Sequence, residues 1–420
     1  MSIKADIKCN QCDFVMVLKI GQGSEPNQPH IFDCPDCDLP ITIAVKRNPS
    51  KFDFVECVEN CSFPQEHELK NPMESGRHIL CLHSSFAYTK EMYHSPLGAV
   101  LTTTMGGQRL YKFVQKRWPS VFQKDPFGGI KMIDTAHLFD VPNCELIWKN
   151  IIKPYNIWVK NNQTTEKLEG LKQKYIKERG KYVPRVNVSN HNELYHDFFS
   201  SMFYPLFNEY YVIINNAILE AKNKNIDNFK SFIEFYRAER WENSQEQFVQ
   251  NTSNYFSLVT EFAQMRVYAR TSDSDVGTLI VGSKNFDQTK QFYGNIYEHI
   301  ADECIFLVGI FNLINGRNFD QLASCNLNKF INDFNKEKRI SCVSQHQEFK
   351  EILSEMNGTL RNGSHHASIR RVEEILFYRP GGTGAESEVP YSQYLYLSNR
   401  LMILATVLFC LEHKWLSRSL

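Results

Sequence analysis

Apolar residues recur at helical spacing through the second half of the chain. Leu194, Phe198, Met202, Leu206 and Tyr210 follow one another at intervals of four, so they fall on one face of a helix. Further segments with this pattern are residues 227–238, 248–269, 292–313, 348–356, 364–377 and 391–415. We therefore expect an all-α helical domain over residues 190–420.

The N-terminal residues follow a different pattern. Residues 7–20 alternate enough to form the arm of a β-hairpin, and residues 41–45 are a β-prone run after Pro40. Residues 51–185 are broken by glycine pairs and prolines, which indicates a mixed connector domain. The expected fold class is α+β, with a small β-rich module at residues 1–50, the connector at 51–185 and the helical domain at 190–420.

The end of the connector is basic. Between residues 161 and 185, five lysines and two arginines outnumber three glutamates. Such a segment is typical of a solvated helix that joins two domains. It also suits an arm that contacts nucleic-acid phosphates, because Lys and Arg supply most of the sequence-independent affinity for them.

Composition limits the remaining choices. Hydrophobic residues make up 42% of the chain, which excludes wholesale disorder, and 47 basic residues balance 47 acidic ones. The first residues lack the apolar run of a signal peptide. The longest apolar stretch, residues 401–411, is shorter than the roughly 20 residues that span a membrane. We expect a cytoplasmic protein without membrane association, in which this stretch is a buried helix.

Two Cys-x-x-Cys pairs are the strongest metal-binding signal. Cys9 and Cys12 form the first pair, and Cys34 and Cys37 form the second, with 21 residues between the pairs. Each turn presents two thiolates to one side, and four thiolates complete a tetrahedral zinc site. The arrangement resembles a zinc ribbon, with a structural Zn²⁺ that takes no part in chemistry. The alternative is four unrelated core or redox cysteines.

A second group of candidate ligands has a less regular spacing. Cys57, Cys61, Cys81 and His83 are close enough in sequence to hold another metal ion. A buried cysteine is also commonly a small hydrophobic residue, so core packing is the alternative.

The segment 360–369 carries the candidate catalytic residues. Gly358 and Gly363 interrupt a helical pattern where Arg361, Asn362 and His366 occur, and Ser364 is a suitable N-cap for a following helix. His366 would then lie in the first turn of that helix, where the dipole favours a neutral imidazole. Neutral His can accept the proton of a ribose 2′-OH, and Arg can bind the phosphate oxygens. On spacing alone, an exposed Arg and a helix-start His with no catalytic role are the favoured explanation of the segment.

The pattern Arg361-Asn362-x3-His366 between amphipathic helices resembles the signature of the HEPN ribonuclease superfamily. The resemblance implies that Arg361 binds phosphate, Asn362 is the family's polar residue and His366 is the catalytic histidine. It also implies RNA cleavage without a catalytic cofactor, as in toxin and abortive-infection proteins, and a homodimer whose two motifs share one cleft. An inhibitor, an antitoxin or a phage-derived trigger would then control activity.

Three neighbouring residues and two other functions complete the expectations. His365 adjoins His366, and Tyr378 and Arg379 would line the RNA groove. The alternative function is a non-catalytic zinc-ribbon protein that binds nucleic acid or acts as a scaffold, with a dimerising helical domain. A redox or metal sensor built on the Cys-x-x-Cys pairs is the third possibility, but the βαβ setting of thioredoxin-type motifs is missing from the pattern.

Overall fold

The structure confirms the α+β class. It is a computed structural model that describes residues 2–23, 25–47, 53–69, 78–117, 141–160, 165–183, 186–365, 368–379 and 384–417. Strands dominate the N-terminal region, and helices dominate the region from residue 191 onward.

Two sheets build the N-terminal region. Their strands are β1 (Ser2–Cys9), β2 (Val15–Gly21), β3 (Asn27–Asp33), β4 (Pro40–Lys46), β5 (Phe54–Glu59), β6 (Cys61–Ser62) and β7 (Ile79–His83). One sheet has the order β6-β1-β2-β7 and the other β3-β4-β5. Leu18 and Ile20 of the first sheet share a buried cluster with Ile41 and Ile43 of the second. The hairpin and the strand expected here are both present.

Short elements connect this region to the helices. They are β8 (Tyr88–Thr89), α1 (Lys90–Tyr93), α2 (Gly98–Arg117), α3 (Cys144–Ile147), α4 (Lys153–Lys160) and α5 (Thr165–Arg179), with a π-helical turn, Trp148–Ile152, between α3 and α4. Within the basic segment, α5 buries Leu171, Tyr175 and Arg179, while Lys167 and Lys174 stay exposed. A role for these lysines in phosphate binding stays a prediction.

The helical region contains the larger core. Its helices are α6 (His191–Phe203), α7 (Leu206–Lys224), α8 (Ile226–Glu239), α9 (Trp241–Ser257), α10 (Val259–Arg270), α11 (Phe286–Ile314), α12 (Leu327–Asp333), α13 (Lys336–Val343), α14 (Gln347–Leu353), α15 (Gly358–His365) and α16 (Tyr391–Leu416). Strand β9 (Leu279–Ile280), between α10 and α11, pairs with β8. Helices α6, α8, α12 and α13 each start at an asparagine whose side-chain oxygen accepts a backbone N–H of the first turn, which satisfies one otherwise unpaired donor. These caps are Asn190, Asn225, Asn326 and Asn335.

The last helix is the centre of this core. Among the described residues, α16 is the one helix long and apolar enough to cross a membrane, and 94% of its most apolar window is buried inside the protein. It packs against α10, α11, α7 and α9. Such burial is typical of the central helix of a globular domain, and the buried helix expected at residues 401–411 is confirmed.

One predicted helix is wrong. Residues 364–377 do not form a helix: α15 ends at His365, and the chain continues as strands β10 (Ile369–Val372), β11 (Ile375–Tyr378) and β12 (Ser387–Pro390). Glu373, with φ of 50°, lies in the turn between β10 and β11. Ser364 is therefore no N-cap, because its hydroxyl lies in α15 and donates to the carbonyl of Leu360. The helical domain thus contains a small antiparallel sheet.

Candidate functional site

The four cysteines of the Cys-x-x-Cys pairs lie in two turns of the same geometry. In the first turn the amide of Cys9 donates to the carbonyl of Phe14, and the amide of Asp13 donates to the carbonyl of Cys9. The second turn, which joins β3 to β4, repeats both bonds: the amide of Cys34 donates to the carbonyl of Leu39, and the amide of Asp38 donates to the carbonyl of Cys34. The residue after each pair has the left-handed backbone that closes such a turn, with φ of 58° at Asp13 and 56° at Asp38.

The two turns bring the four thiols together. The Sγ atoms of Cys9 and Cys37 are 3.8 Å apart, and those of Cys12 and Cys34 are 3.6 Å apart. All four sulfur atoms lie within 4.8 Å of one another, and all four cysteines are free of disulfides. The prediction that these residues form a candidate metal site is confirmed.

The surroundings of Cys9 favour a thiolate. Burial raises the pKa of the Cys9 thiol, but hydrogen bonds from the backbone amides of Cys12 and Gln11 and from the thiols of Cys12 and Cys37 together outweigh burial and lower this pKa to about 7. Burial raises the pKa of the neighbouring Cys12 and Cys34 thiols, so Cys9 is the cysteine of this group whose thiolate is favoured. Amide groups directed at sulfur stabilise the charged form, which is the form that binds metal ions.

The second group of candidate ligands does not converge. Cys61 pairs with Cys9 across β6 and β1, whereas Cys81 pairs with Lys19, which in turn pairs with Lys4. Five positions on β1 separate Lys4 from Cys9, so Cys61 and Cys81 lie about 16 Å apart along the strands at roughly 3.3 Å per residue.

The individual contacts of this second group agree with that separation. Cys57 is hydrogen-bonded to Cys61. The Sγ atom of Cys81 donates to the carbonyl of Ser95 at 3.1 Å, and Nδ1 of His83 accepts the amide of Ser85 at 2.9 Å. The described chain therefore does not assemble these four residues into one metal site.

Arg361 lies on α15, a short helix packed against α11. The side-chain oxygen of Asn357 starts α15 by accepting the amides of Thr359 at 3.0 Å and Leu360 at 3.1 Å. Leu360 is buried and anchors the helix in the core, whereas the next side chain, Arg361, is 27% exposed. The helix thus fixes Arg361 at the edge of the domain.

Two groups orient the guanidinium of Arg361. Its Nη1 donates to Oδ1 of Asn362 at 2.7 Å, and its Nη2 forms an ion pair with Glu298 of α11. Glu298 also lies 3.6 Å from the ammonium of Lys336. Arg361 and Asn362 are therefore in contact, and Glu298 is a residue of this site that the sequence did not indicate.

His365 is the last residue of α15, and its side chain lies outside the described part of the chain. His366, the expected catalytic histidine, also lies outside the described residues. The helix that Ser364 was expected to cap is wrong, because α15 ends at His365 and β10 begins at Ile369. A helix C-terminus carries partial negative charge and favours protonated imidazole, so the dipole argument for a neutral histidine no longer applies.

Tyr378 and Arg379 follow on the neighbouring sheet. A Cβ atom added to Gly363 would be 3.5 Å from Cβ of Tyr378, so strand β11 passes close to the end of α15. Arg379 is 55% exposed and lies 3.9 Å from Glu386. Tyr378 is thus near the Arg361 helix in the fold, and the contact of Tyr378 and Arg379 with RNA stays a prediction.

Of the sites predicted from the sequence, two remain candidates for a functional role. They are the four-thiol cluster and the Arg361–Asn362 pair with the histidines that follow it in the sequence. Glu298 belongs to the second feature through its ion pair with Arg361. Comparison of the chain with protein-family models, with curated proteins and with solved structures found no match.

Proposed function

We propose that this protein is an endoribonuclease that cleaves RNA without a catalytic metal ion, at a site formed by Arg361, Asn362 and His366. The observation that carries the proposal is the contact between Arg361 and Asn362 at a partly exposed helix edge. His366 follows Asn362 four residues later in the sequence. These are the side chains that transesterification of RNA requires.

Each of the three residues has a role in the proposed reaction. The imidazole of His366 accepts the 2′-hydroxyl proton, O2′ bonds to the adjacent phosphorus, and the bond from phosphorus to the 5′ oxygen breaks. The leaving oxygen takes up a proton, which gives 2′,3′-cyclic phosphate and 5′-hydroxyl ends. Arg361 stabilises the charge that grows on the non-bridging oxygens, and Asn362 orients the guanidinium.

The biological role follows from the family resemblance. A ribonuclease of this kind would act as an anti-phage defence or toxin effector, with RNA as its substrate. An inhibitor, an antitoxin or a phage-derived trigger would hold its activity in check.

The end chemistry tests the proposal. Purified protein incubated with total RNA in excess EDTA is expected to cut the RNA, because the nucleophile belongs to the substrate and needs no metal-bound water. Mapping of the fragments should find 2′,3′-cyclic phosphate and 5′-hydroxyl ends. Fragments with 5′-phosphate ends, or cleavage only after addition of a divalent metal, would mean a different mechanism.

We also propose that the four-thiol cluster binds Zn²⁺. A regular tetrahedron with Zn–S bonds of about 2.3 Å separates its sulfur atoms by about 3.8 Å. The two measured distances, 3.8 Å and 3.6 Å, are close to that value. Four protein ligands leave no open position, so the zinc would be structural and would tie β1–β2 to β3–β4.

Removal of two zinc ligands is expected to unfold the N-terminal sheets. With Cys34→Ser plus Cys37→Ser, zinc content should fall from about one equivalent to almost none, since two thiolates cannot complete a tetrahedral site. Structural zinc supplies about 10 kcal/mol or more of folding free energy in small domains. Elemental analysis and limited proteolysis measure both effects.

A matched double variant controls for the loss of two thiols. Cys57→Ser plus Cys61→Ser should retain the zinc, because neither residue belongs to the four-thiol cluster. Undiminished zinc in the Cys34, Cys37 variant would refute the assignment. The helices from residue 191 onward should persist in both variants because they have a separate core.

We further propose that the enzyme works as a homodimer with both motifs at one cleft. One motif offers a single catalytic imidazole, yet attack by the 2′-hydroxyl and departure of the 5′ oxygen call for a base and an acid. A two-fold axis supplies the second imidazole and a second Arg361 from an identical chain, and two-fold dimers are the commonest oligomers.

Mixing of active and inactive chains tests the shared cleft. Wild-type chains are co-expressed with His366→Ala chains in varying ratios. The remaining activity should be close to the square of the wild-type fraction. Cleavage per total protein is the measurement, and exchange of chains is verified with two affinity tags. Activity that follows the wild-type fraction linearly would show that each chain works alone.

A second candidate function is a non-catalytic zinc-ribbon scaffold or nucleic-acid-binding protein whose helical region dimerises. The ion pair between Arg361 and Glu298 favours it, because an arginine with a purely structural role would make the same contact. The Arg361→Ala variant distinguishes the two functions. An enzyme would lose its RNA cleavage, whereas a scaffold would show no cleavage with or without the substitution.

A further inference from the structure

A cavity of about 170 Å³ lies where the second cysteine turn meets the helical region. One wall comes from Asp33 and the turn that follows it, and another from Tyr88 and Tyr93. Glu374, in the turn between β10 and β11, closes the opposite side. The cavity is therefore bounded by both the cysteine turn and the hairpin that follows the Arg361 helix.

Acceptor groups without partners line this cavity. Tyr88 is 1% exposed, and its hydroxyl has no hydrogen-bond partner among the described residues. Oε2 of Glu374 is likewise buried without a partner in that part of the chain. Buried polar atoms normally find partners, so two such atoms in one cavity point to a ligand.

The electrostatics of the cavity select a cation. Burial raises the pKa of Tyr93, and the carboxylates of Glu374 and Asp33 raise it further, which places both carboxylates near this hydroxyl. Burial also raises the pKa of Glu374 to about 7, against the lowering effect of Arg371. Asp33 is exposed and the side chain of Glu374 is partly exposed, so a positive ligand would balance the charge of these two carboxylates, whereas an anion would add to the repulsion.

Arg371 leaves one side of Glu374 free. Its Nη1 donates to the carbonyl of Ser283 at 3.0 Å, and its Nε donates to the carbonyl of Glu373 at 2.8 Å. Its guanidinium also stacks over the ring of Tyr391. It lies 3.6 Å from Oε1 of Glu374, and the carboxylate of Glu374 also accepts a hydrogen bond from the backbone amide of Val281. Oε2 of Glu374 has no hydrogen-bond partner among the described residues.

We propose that this cavity binds an ammonium or guanidinium group on a short aliphatic stem. The cationic group donates to Oε2 of Glu374 and to the hydroxyl of Tyr88, Asp33 adds negative charge, and the ring of Tyr93 packs against the cation or its stem. A lysine or arginine side chain of a partner protein and a free polyamine share this chemistry. The site is independent of the proposed RNA cleavage, and its occupant would contact the cysteine turn and the hairpin together.

Binding of small probes to the full-length, zinc-loaded protein tests the site. Isothermal titration with N-acetyl-lysine methylamide, N-acetyl-arginine methylamide and spermidine covers the two cations and the two sources. N-acetyl-norleucine methylamide is the uncharged control. At least one cationic probe should bind at millimolar concentration or below, and the norleucine probe should not. Preference for an amino-acid probe indicates a protein partner, and preference for spermidine indicates a polyamine.

Two substitutions locate the binding. Glu374→Gln removes the charge that faces the ligand and should weaken binding about tenfold or more, and Tyr88→Phe should weaken it several-fold. Glu388→Gln, which removes an exposed charge from the neighbouring strand β12, should leave binding unchanged. Circular dichroism confirms that each variant is folded.

Each of the following results would overturn the proposal: no binding of any cationic probe, equal binding of the norleucine probe, or binding that Glu374→Gln does not weaken in a folded protein. Calcium binding at this site without amine binding would also reject it, since it would assign the carboxylates to a metal ion instead.

Discussion

Arg361→Ala is expected to lower the rate of RNA cleavage by roughly 100- to 1000-fold, the usual effect of removing one donor that stabilises transition-state charge. The fold should survive, because partly exposed ion pairs contribute only about 0–1 kcal/mol to the free energy of unfolding. Glu298 would keep Lys336 at 3.6 Å as a second partner. Single-turnover cleavage of a defined RNA and a thermal melt measure the two quantities.

The chain offers a matched control for this substitution. Arg109, on α2, is also a partly exposed arginine in an ion pair; its partner is Asp273 in the loop after α10, and its side chain is 41% exposed. Arg109→Ala should therefore change stability about as much as Arg361→Ala but leave cleavage near the wild-type rate. Equal activity of the two variants would mean that Arg361 does not bind the scissile phosphate, and the scaffold function would then be favoured.

Arg361→Lys distinguishes charge from geometry. Lysine keeps the positive charge but lacks the planar fork that binds two phosphate oxygens at once. Activity between that of the wild type and that of Arg361→Ala is the result that fits bidentate phosphate binding.

The ion pair with Glu298 does not prevent Arg361 from binding RNA. Both side chains are about one quarter exposed, 27% for Arg361 and 24% for Glu298, so solvent screens their attraction. A bidentate, charge-assisted contact with phosphate is stronger than such a pair. In the proposed mechanism, Glu298 would hold the guanidinium in place between turnovers, and substrate phosphate would displace it.

The cysteine cluster could be predicted because its information is local. Each Cys-x-x-Cys turn closes through hydrogen bonds within six residues, such as that from the amide of Cys9 to the carbonyl of Phe14. The spacing of the cysteines therefore dictates how each turn presents its thiols, whatever surrounds it. Only the approach of the two turns to each other depends on the packing of the sheets.

The hairpin after α15 could not be predicted from periodicity. Ile369, Val372, Ile375 and Leu376 fit one face of a helix, but they also fit two short strands joined by a turn at Glu373. In the fold, Ile369 and Leu376 are buried, whereas Val372 is 47% exposed. The pairing of β11 with β12 decides between the helical and the strand periodicity, and the pattern of residues 364–377 does not show this pairing.

Long-range pairing also explains the two errors at the candidate sites. Cys61 and Cys81 looked close in sequence, but strand register places one opposite Cys9 and the other opposite Lys19. Glu298 contacts Arg361 from another helix, and a lone glutamate in a helical segment gives no sign of its partner.

The measurement that tests the central claim most directly compares two neighbouring histidines. If Arg361, Asn362 and His366 form the active site, His366→Ala should abolish cleavage of a defined RNA in EDTA, whereas His365→Ala should retain most of it. Removal of a general base costs roughly 100- to 10,000-fold in rate. The two variants lose the same side chain one position apart, so a general effect on folding would lower both activities alike. Full activity of His366→Ala, with or without loss in His365→Ala, would contradict the assignment.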